Sequence, residues 1–392
     1  MGGLRFLTSG ESHGRGLQVI LEGMVAGLQL SEEYIAGDLT RRQGGYGRGG
    51  RMQIESDRAE IISGVRNGLT IGSPIGLLIW NKDWENWKEK MAVGAIENPV
   101  EKITSPRPGH SDLAGMLKYQ VDDIRLVLER ASARETTARV AAGAVARRFL
   151  EEFAISVRSH TISTGGNAIS ENTGIDWEKV ENSPLRCCDK DAEKKMITEI
   201  DSAKREGDTL GGVFEVIAAG VPVGLGSHVH WDRRLDGRIA QAIMSINGVK
   251  GVEIGKGFEL AHIKGSRAHD IIEKSVLDKA EHMWHRPTNR AGGMEGGISN
   301  GESIVLRAAI KPIATLGKSL PSIDLSSGKV THAHYERSDI CVVPAAGVIG
   351  ESMLALVLAD TFLEKFGGDN LKETMRNYRA YIDSMQASEE YE

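Results

Sequence analysis

Short runs of apolar and β-branched residues recur along this chain and predict strands, because such runs fit a half-buried or buried strand. They cover residues 4–8, 18–21, 77–80, 213–219 and 303–310. Apolar residues at helical spacing lie between them and predict helices over residues 132–153, 235–246 and 350–366. The first helix opens with Ser132 and Glu135, which have the spacing of a capping box.

Two further segments are mostly polar. Residues 184–207 are highly charged and predict a solvated helix with loops, whereas the polar, histidine-containing residues 259–291 indicate an excursion from the core. We find no Pro/Ser-rich linker and no fixed repeat. The residues with candidate chemistry lie near positions 10, 110 and 338, so one site must draw on the whole length. This favours a single large mixed α/β domain over residues 1–366, followed by a charged tail at 367–392.

Composition narrows the class of protein. Hydrophobic residues make up 40% and charged residues 26%, as in ordinary soluble globular proteins. The longest apolar run, residues 75–80, is too short to span a bilayer, and no secretory leader is evident. Three cysteines without a CxxC pair fit a reducing cytoplasm. The net charge of −6 argues against nucleic-acid binding. We therefore expect a cytoplasmic protein without a membrane or nucleic-acid partner.

The arginines nevertheless cluster in turns. Arg41, Arg42, Arg48 and Arg51 lie in one glycine-rich stretch, and others lie beside glycine, serine or proline. The second group is Arg107, Arg130, Arg134 and Arg337. Because guanidinium groups match phosphate and carboxylate, this pattern predicts binding of a small polyanion.

Candidate acid–base groups lie in the same turns. His13 lies in Gly10-Glu11-Ser12-His13-Gly14, and His110 lies in Arg107-Pro108-Gly109-His110. An imidazole can transfer a proton near neutral pH. Asp339, which precedes an apolar run, is either a structural ion-pair partner or a catalytic base. The free N–H groups after Ser132 suit a phosphate.

Three other motifs are discounted. Gly10-x-Ser12-x-Gly14 resembles a nucleophile elbow, but it lies too early in the chain for an α/β-hydrolase. Gly45-x-Gly47-x-x-Gly50 resembles a dinucleotide fingerprint, but no buried strand precedes it. Gly317-Lys318-Ser319 resembles the end of a P-loop, but Pro312 replaces the first glycine.

Two histidine pairs have the spacing of metal ligands on a strand. They are His228 with His230 and His332 with His334. Neither pair is followed by a third ligand at a diagnostic spacing. We therefore predict no metal and interpret these side chains as polar surface or loop residues.

Several separated blocks, in order, resemble the chorismate synthase family over residues 1–366. The blocks are Gly10–Gly14, Asp38-Leu39-x-Arg41-Arg42, Arg107–His110, Arg130–Thr136, Ser245–Asn247, Lys250–Glu253, Gly296–Ser299, Lys311-Pro312 and Arg337–Asp339. Each block is weak evidence alone, but together they are highly specific.

The resemblance implies a reaction. Members convert 5-enolpyruvylshikimate 3-phosphate to chorismate and phosphate by a 1,4-anti elimination that needs reduced FMN without net redox change. This is the last common step toward the aromatic amino acids. The resemblance also implies a β-α-β sandwich of α+β type, with antiparallel sheets inside and helices outside, assembled as a homotetramer.

The resemblance assigns roles by position. His13 would protonate the departing phosphate, His110 would hold or protonate the reduced flavin ring, and Asp339 would serve in the proton relay. The implied flavin contacts are Arg130, Ala131, Ser132, Asn247, Gly248, Gly296, Lys311, Pro312, Ile313, Ala314, Thr315 and Arg337. The implied contacts to substrate or NADP phosphate are Arg42, Arg48, Arg107 and Arg134.

Some positions depart from the family. Ala131 stands where serine is common, so it can contact flavin only through its backbone or methyl group, and Gly248 stands where alanine is common. No flavin-reductase domain is visible, which favours an external reductase over reduction by the protein's own use of NADPH. Two alternatives remain: another FMN enzyme that handles phosphate, and a non-catalytic anion-binding or assembly protein.

Overall fold

Strands and helices form where the apolar patterns predict them, and several short strands form between them. The computed structural model describes residues 3–49, 56–95, 100–170, 173–274, 284–336 and 338–387. The strands are β1 Arg5–Gly10, β2 Gly16–Glu22, β3 Glu60–Ser63, β4 Val65–Arg66, β5 Leu69–Thr70, β6 Ile75–Trp80, β7 Ser156–Thr164, β8 Asn167–Ala168, β9 Gly212–Ala219, β10 Val249–Ile254, β11 Glu273–Lys274, β12 Trp284–His285, β13 Met294–Glu295, β14 Ile298–Ser299, β15 Ile304–Ile310, β16 Pro321–Ile323 and β17 Val330–His332.

The helices include two long ones that bury almost every side chain. The α-helices are α1 Glu32–Gln43, α2 Asp112–Tyr119, α3 Arg125–Ala131, α4 Thr136–Glu151, α5 Trp177–Asn182, α6 Lys190–Glu206, α7 Leu235–Met244, α8 Gly265–Ala268, α9 Val343–Phe366 and α10 Leu371–Ala387. The 3₁₀ turns are Lys82–Asn86, Ala133–Glu135, Trp231–Arg233 and Gly257–His262.

Two antiparallel sheets form the outer layers. The first has the order β1-β2-β6-β3 and the second has the order β10-β15-β9-β7-β8. In β2, Leu17, Val19 and Leu21 are fully buried, whereas Ile20 between them is exposed. This period-two alternation places one face of the sheet against the core.

The two long helices lie between the sheets. α4 packs on β2 and α9 packs on β7 and β9, and the two helices pack on each other. They approach so closely that a Cβ added to Gly143 of α4 would lie 2.3 Å from the Cβ of Ser352 on α9. The α+β class and the antiparallel sheets are confirmed. The expected order of layers is wrong, however: the helices are inside and the sheets are outside.

α9 is apolar on all sides because it crosses the centre of the molecule. Among the described residues it is the one helix long and apolar enough to span a membrane, and 83% of that apolar window is buried in the protein. A helix that is hydrophobic all round is typical of a protein core as well as of a bilayer. Here the core accounts for it.

The predicted elements are confirmed with shifted ends. The five predicted strands correspond to β1, β2, β6, β9 and β15, and residues 184–207 contain α6. The helix predicted from residue 132 begins as a 3₁₀ turn: Ser132 accepts from the N–H of Arg134, while the Glu135 carboxylate binds Thr8 and Arg139 rather than completing a capping box. Residues 371–387, within the predicted charged tail, form α10, whose Met375 and Tyr378 pack on the core.

Candidate functional site

His13 lies in the turn of the β1–β2 hairpin, which is fastened to the end of α3. Its ring Nδ1 is 3.0 Å from Oε1 of Glu129, and its backbone N–H donates to Oε2 at 2.8 Å. The backbone N–H of Ser12 donates to the backbone carbonyl of Glu129 at 3.0 Å. Because β1 turns back into a strand rather than a helix, this turn is not a nucleophile elbow.

His110 lies in the loop before α2, beside a buried arginine–carboxylate pair. Its Nδ1 is 2.5 Å from Oδ1 of Asp112, and Nε of Arg107 donates to Oδ2 at 2.8 Å. Burial raises the pKa of the Asp112 carboxyl, but the hydrogen bonds from His110 and Arg107 outweigh it and hold the pKa well below its ordinary value. An ionised Asp112 accepts at both oxygens, so Nδ1 of His110 is the donor in this contact.

Glu336 is a carboxylate on which charges from both histidine sites act. It pairs with His334, with 3.6 Å between Nε2 and Oε1. Burial raises the pKa of the Glu336 carboxyl, but the hydrogen bond with His334 and the positive charges of Arg107 and His13 lower it more. Charges act on one another over short distances in a protein. Charges from the turns that carry residues 13 and 107–110 therefore both act on this carboxylate.

Arg42, Arg48 and Arg134 converge on two carboxylates. Nη1 of Arg134 donates to both oxygens of Asp57 at 2.6 and 2.7 Å, and Nη1 of Arg48 lies 3.1 Å from Oδ2 of Asp339. Burial, followed by the charges of Arg48 and Arg134, lowers the pKa of Arg42 to about 9 against the opposing carboxylates. Three guanidinium groups around two carboxylates leave an excess of positive charge.

Arg42 has one guanidinium nitrogen that makes no hydrogen bond within the described residues. Its Nε and Nη2 donate to Oγ1 of Thr136 at 3.1 and 2.9 Å, and Nη2 also donates to the backbone carbonyl of Ala133 at 3.0 Å. Its Nη1 is buried without a hydrogen-bond partner among the described residues. This nitrogen can donate to an anionic ligand.

Asn81 joins the arginine cluster to the His13 turn. Its Oδ1 accepts from Nε and Nη2 of Arg134 at 3.0 and 2.9 Å. Its Nδ2 donates to the backbone carbonyls of Glu11 and Gly14 at 3.1 and 2.8 Å. A single buried amide thus fixes the distance between the predicted acid and the predicted phosphate-binding arginines.

Asp339 is held from the opposite side of this cluster. Its Oδ1 accepts from the backbone N–H of Gly49 at 2.6 Å. A Cβ at residue 49 would lie 2.7 Å from the backbone oxygen of Ser338, so glycine is required for the two loops to meet. The glycine-rich stretch follows α1 rather than a strand, which excludes a dinucleotide fingerprint there.

The predicted flavin contacts form a band beside the histidines. Nη1 of Arg130 donates to the backbone carbonyl of Gly10 at 3.1 Å, and Nδ2 of Asn247 donates to that of Ala131 at 3.1 Å. Oδ1 of Asn247 is buried without a hydrogen-bond partner in the part of the chain that the structure describes. Ser132 caps the 3₁₀ turn that follows Ala131. The Asn247 oxygen is thus an acceptor in this part of the band that is available to a ligand.

Residues 311–315 extend the band to His110. The backbone N–H of Lys311 donates to Gly248 at 2.9 Å, and its ammonium group donates to the backbone carbonyl of Gly109. Nη1 of Arg107 donates to Oγ1 of Thr315 at 3.0 Å. Pro312, Ile313 and Ala314 lie between these contacts. Burial, together with Lys250, lowers the pKa of Lys311.

Comparison with known proteins gives matches over nearly the whole chain. The sequence pattern of chorismate synthases matches residues 4–363. A chorismate synthase from Moorella thermoacetica is 56% identical over 388 residues, covering 97% of this chain and 100% of that protein. One from Aquifex aeolicus is 53% identical over 396 residues, covering 98% of each chain. A crystal structure of chorismate synthase matches with a TM-score of 0.79 and 44% identity, over 98% of this chain and 99% of that one.

The chain belongs to the chorismate synthase family. It is therefore an enzyme of the shikimate pathway, and the resemblance found in the sequence is confirmed. The non-catalytic alternative is set aside by this membership.

Two further positions carried over from the chorismate synthase family stay predictions. Gly296 lies in the β13–β14 turn, where an added Cβ would come no nearer than 4.0 Å to His228. The adjoining Gly297 approaches Arg234 instead, at the start of α7. Arg337 lies outside the described residues.

Sequence reasoning missed several residues of the chorismate synthase site. Glu129, Asp112 and Glu336 each hold or face a predicted histidine, and Asn81 links two parts of the site. Asp112 and Glu129 had a local signal, since they lie within two residues of His110 and directly before Arg130. Glu336 had the same kind of signal, since it directly precedes Arg337, whereas Asn81 had none.

The histidine pairs have ordinary partners. Nδ1 of His230 lies 2.7 Å from Oδ1 of Asp232 at the surface, and Nδ1 of His332 lies 3.3 Å from the backbone oxygen of Ser319. Within the described ranges, no three histidine, cysteine or acidic side chains are grouped as metal ligands.

Proposed function

We propose that this enzyme catalyses the 1,4-anti elimination of phosphate from 5-enolpyruvylshikimate 3-phosphate to give chorismate, with reduced FMN as cofactor. The observation that carries the proposal is that the turn of His13, an imidazole held by a carboxylate, is tied through the buried amide of Asn81 to Arg134 of the buried arginine cluster. The substrate carries a phosphate and two carboxylates, and such groups are matched by guanidinium forks.

The arginine cluster is suited to the phosphate of the substrate. An incoming dianion offsets the mutual repulsion of Arg42, Arg48 and Arg134, which already lowers the pKa of Arg42. Nη1 of Arg42 supplies a donor that the protein leaves without a hydrogen bond among its described residues. NADP phosphate is a second anion that these arginines can hold.

His13 gives a proton to the departing phosphate. The carbon–oxygen bond breaks with its electron pair on the phosphate, and protonation lowers the charge that this leaving group must carry. The hairpin turn, Glu129 and Asn81 fix the position of His13, so its proton is aimed before the substrate arrives.

The flavin band fits reduced FMN. Oδ1 of Asn247 is a buried acceptor without a described partner, and Lys311 with Lys250 supplies positive charge. Residues 130–132, 247–248 and 311–315 would hold the cofactor, with Ala131 acting through its backbone. Reduced FMN, when bound, takes part in removal of the substrate hydrogen without net redox change. His110, oriented by Asp112, would hold or protonate the flavin ring, and Asp339, oriented by Arg48 and Gly49, would serve in the proton relay.

The decisive experiment is an anaerobic assay with chemically reduced FMN and 5-enolpyruvylshikimate 3-phosphate. Chorismate and phosphate should form in equal amounts. His13→Ala and His110→Ala should each lower turnover by roughly 10²–10⁴-fold, the usual range for general acid–base groups. Failure to release phosphate would contradict the proposal. Near-wild-type turnover in either variant, with chemistry rate-limiting, would remove that residue's role.

We further propose an external flavin reductase, because the chorismate synthase pattern accounts for residues 4–363. The same assay with NADPH and oxidised FMN, and without any reductase, should yield no chorismate. Formation of chorismate under those conditions would show that the protein reduces FMN itself.

We also propose a cytoplasmic homotetramer. The outer face of the first sheet exposes Leu7, Ile20, Ile62 and Trp80, an apolar surface that assembly would cover. Light scattering should give the mass of four chains, and a monomeric mass would contradict this assembly.

A further inference from the structure

Four side chains, one of which is the predicted acid His13, form a closed ring of contacts. Glu129, near the end of α3, is buried and binds Nδ1 of His13 at 3.0 Å. Nη1 of Arg125, one helical turn earlier, donates to the same Oε1 at 3.2 Å. Trp87 stacks on the His13 ring with 3.9 Å between centroids and 25° between planes, and the Arg125 guanidinium lies 5.1 Å from the Trp87 centroid.

The ring demands a carboxylate at position 129. Oε1 accepts from Arg125 and faces Nδ1 of His13, whereas Oε2 accepts from the backbone N–H of His13 at 2.8 Å. A carboxylate only accepts, so it satisfies all three donors. An amide of the same shape turns its NH₂ toward at least one of them in either orientation.

We propose that Glu129 is a positioning residue that keeps a proton on Nδ1 of His13, so that proton transfer occurs at Nε2. The inference rests on the proposed function and deepens it. When His13 gives up its Nε2 proton, the ring becomes neutral and retains Nδ1–H in its hydrogen bond to Glu129. Glu129 remains a carboxylate throughout and exchanges no proton.

Trp87 and Arg125 also hold the His13 ring in place. The indole face fixes the plane of the imidazole, and Arg125 fixes both the carboxylate and the indole. The direction of Nε2 is therefore set by contacts on two sides of the ring. Such pre-organisation matters because small misplacements of a catalytic group lower the rate steeply.

The test is Glu129→Gln, with Glu215→Gln as the matched control. Glu215 is also buried between an imidazole and a guanidinium, 3.0 Å from Nε2 of His160 and 2.7 Å from Nε of Arg307, on the second sheet. Glu129→Gln should lower kcat by roughly 10- to 100-fold with little change in KM, less than loss of the acid itself. Glu215→Gln should leave kcat unchanged.

Two measurements separate positioning from a structural role. Nitrogen-15 NMR of labelled histidine should show Nδ1–H for neutral His13 in the wild type and an increased Nε2–H population in Glu129→Gln. In a His13→Ala background, Glu129→Gln should cost no further activity, because Glu129 acts only through His13.

Each result decides one point. An Nε2–H ring in the wild type would overturn the proposal without any variant, even if Glu129→Gln did not fold. Identical spectra in the two proteins, or a further loss in the His13→Ala background, would overturn it as well. The NMR experiment needs no turnover. Absence of chorismate from the wild type would therefore reject the proposed reaction while the test of the tautomer stands.

Discussion

At the scale of single residues, Arg42 has a stability cost that its proposed binding role would explain. Its guanidinium is buried beside two other arginines, and burial with those charges lowers its pKa to about 9. A charged group in such surroundings is retained for what it binds rather than for stability. An arriving phosphate supplies the missing negative charge.

Arg42→Gln should therefore separate binding from stability. Inorganic phosphate should raise the melting temperature of the wild type, and most of this shift should disappear in the variant. The free energy of unfolding without phosphate should change by only about 1 kcal/mol, because removal of a buried charge offsets the lost hydrogen bonds. Arg238→Gln, which removes a partner of Asp360, is the control and should keep the phosphate shift. An unchanged shift in Arg42→Gln would contradict the binding role.

The residues that the sequence revealed differ in kind from those it did not. His13, His110 and Asp339 stand in short turns flanked by glycine, serine or arginine, so their neighbours in the chain are informative. Glu129 is 116 residues from His13, and Asn81 is 67 residues from Gly14. Such partners are set by how the layers pack, which no local pattern contains.

At the scale of elements, the contact between α4 and α9 depends on small side chains. Gly143 faces Ser352 with no room for a methyl group: an added Cβ would lie 2.3 Å from Cβ and 2.6 Å from Cα of that serine. On the other side of α9, Gly350 meets the ring of Phe214. The two central helices can therefore approach each other and the second sheet closely.

Gly143→Ala should destabilise the protein by about 1–3 kcal/mol, because overpacking forces the helices apart. Gly37→Ala in α1 is the matched control, since an added Cβ there has nothing within 4 Å. That change should stabilise by about 0.4–1 kcal/mol through lower entropy of the unfolded chain. Urea unfolding of both variants measures the difference, and equal effects would contradict the close packing of the helices.

The order of the layers could not be predicted from the sequence, for a related reason. Helical spacing predicted residues 350–366 of α9, but the apolar residues of this helix continue on every side, and its start at Val343 was not predicted. A helix without a polar face carries no signal of which partner it packs against. In the outer sheets, buried and exposed residues likewise alternate as they would in any half-buried sheet. This alternation therefore does not show which layer lies outside.

At the scale of the whole molecule, a buried charge network ties the layers together. Glu351 of α9 is fully buried and pairs with Arg41 of α1, Arg147 of α4 and Arg186. Burial raises the pKa of Glu351, but these three charges outweigh it, so the pKa is lowered. Glu181, bound by Arg186 and Arg41, has its pKa lowered to about 2 against the effect of burial.

The molecule should lose stability in acid. A carboxyl whose pKa is lowered on folding binds fewer protons than the unfolded chain does, so the free energy of unfolding should fall as the pH drops from 4.5 toward about 2. Burial raises the pKa values of Asp38 and Asp360, which act in the opposite direction. More carboxyls have lowered pKa values, however, among them Asp112, Glu215 and Glu336. Urea unfolding across this range measures the slope. Glu181→Gln should flatten it, exposed Glu178→Gln should not, and a pH-independent stability would refute the argument.

The central place of α9 also sets an order of events during synthesis. Every strand of both outer sheets precedes Val343 in the chain, so a ribosome delivers the two outside layers before the helix that they enclose. The inward face of the first sheet can pack on α4, but the inward face of the second sheet lacks its partner until α9 has left the exit tunnel. That face must therefore be shielded by other means until α9 has been synthesised.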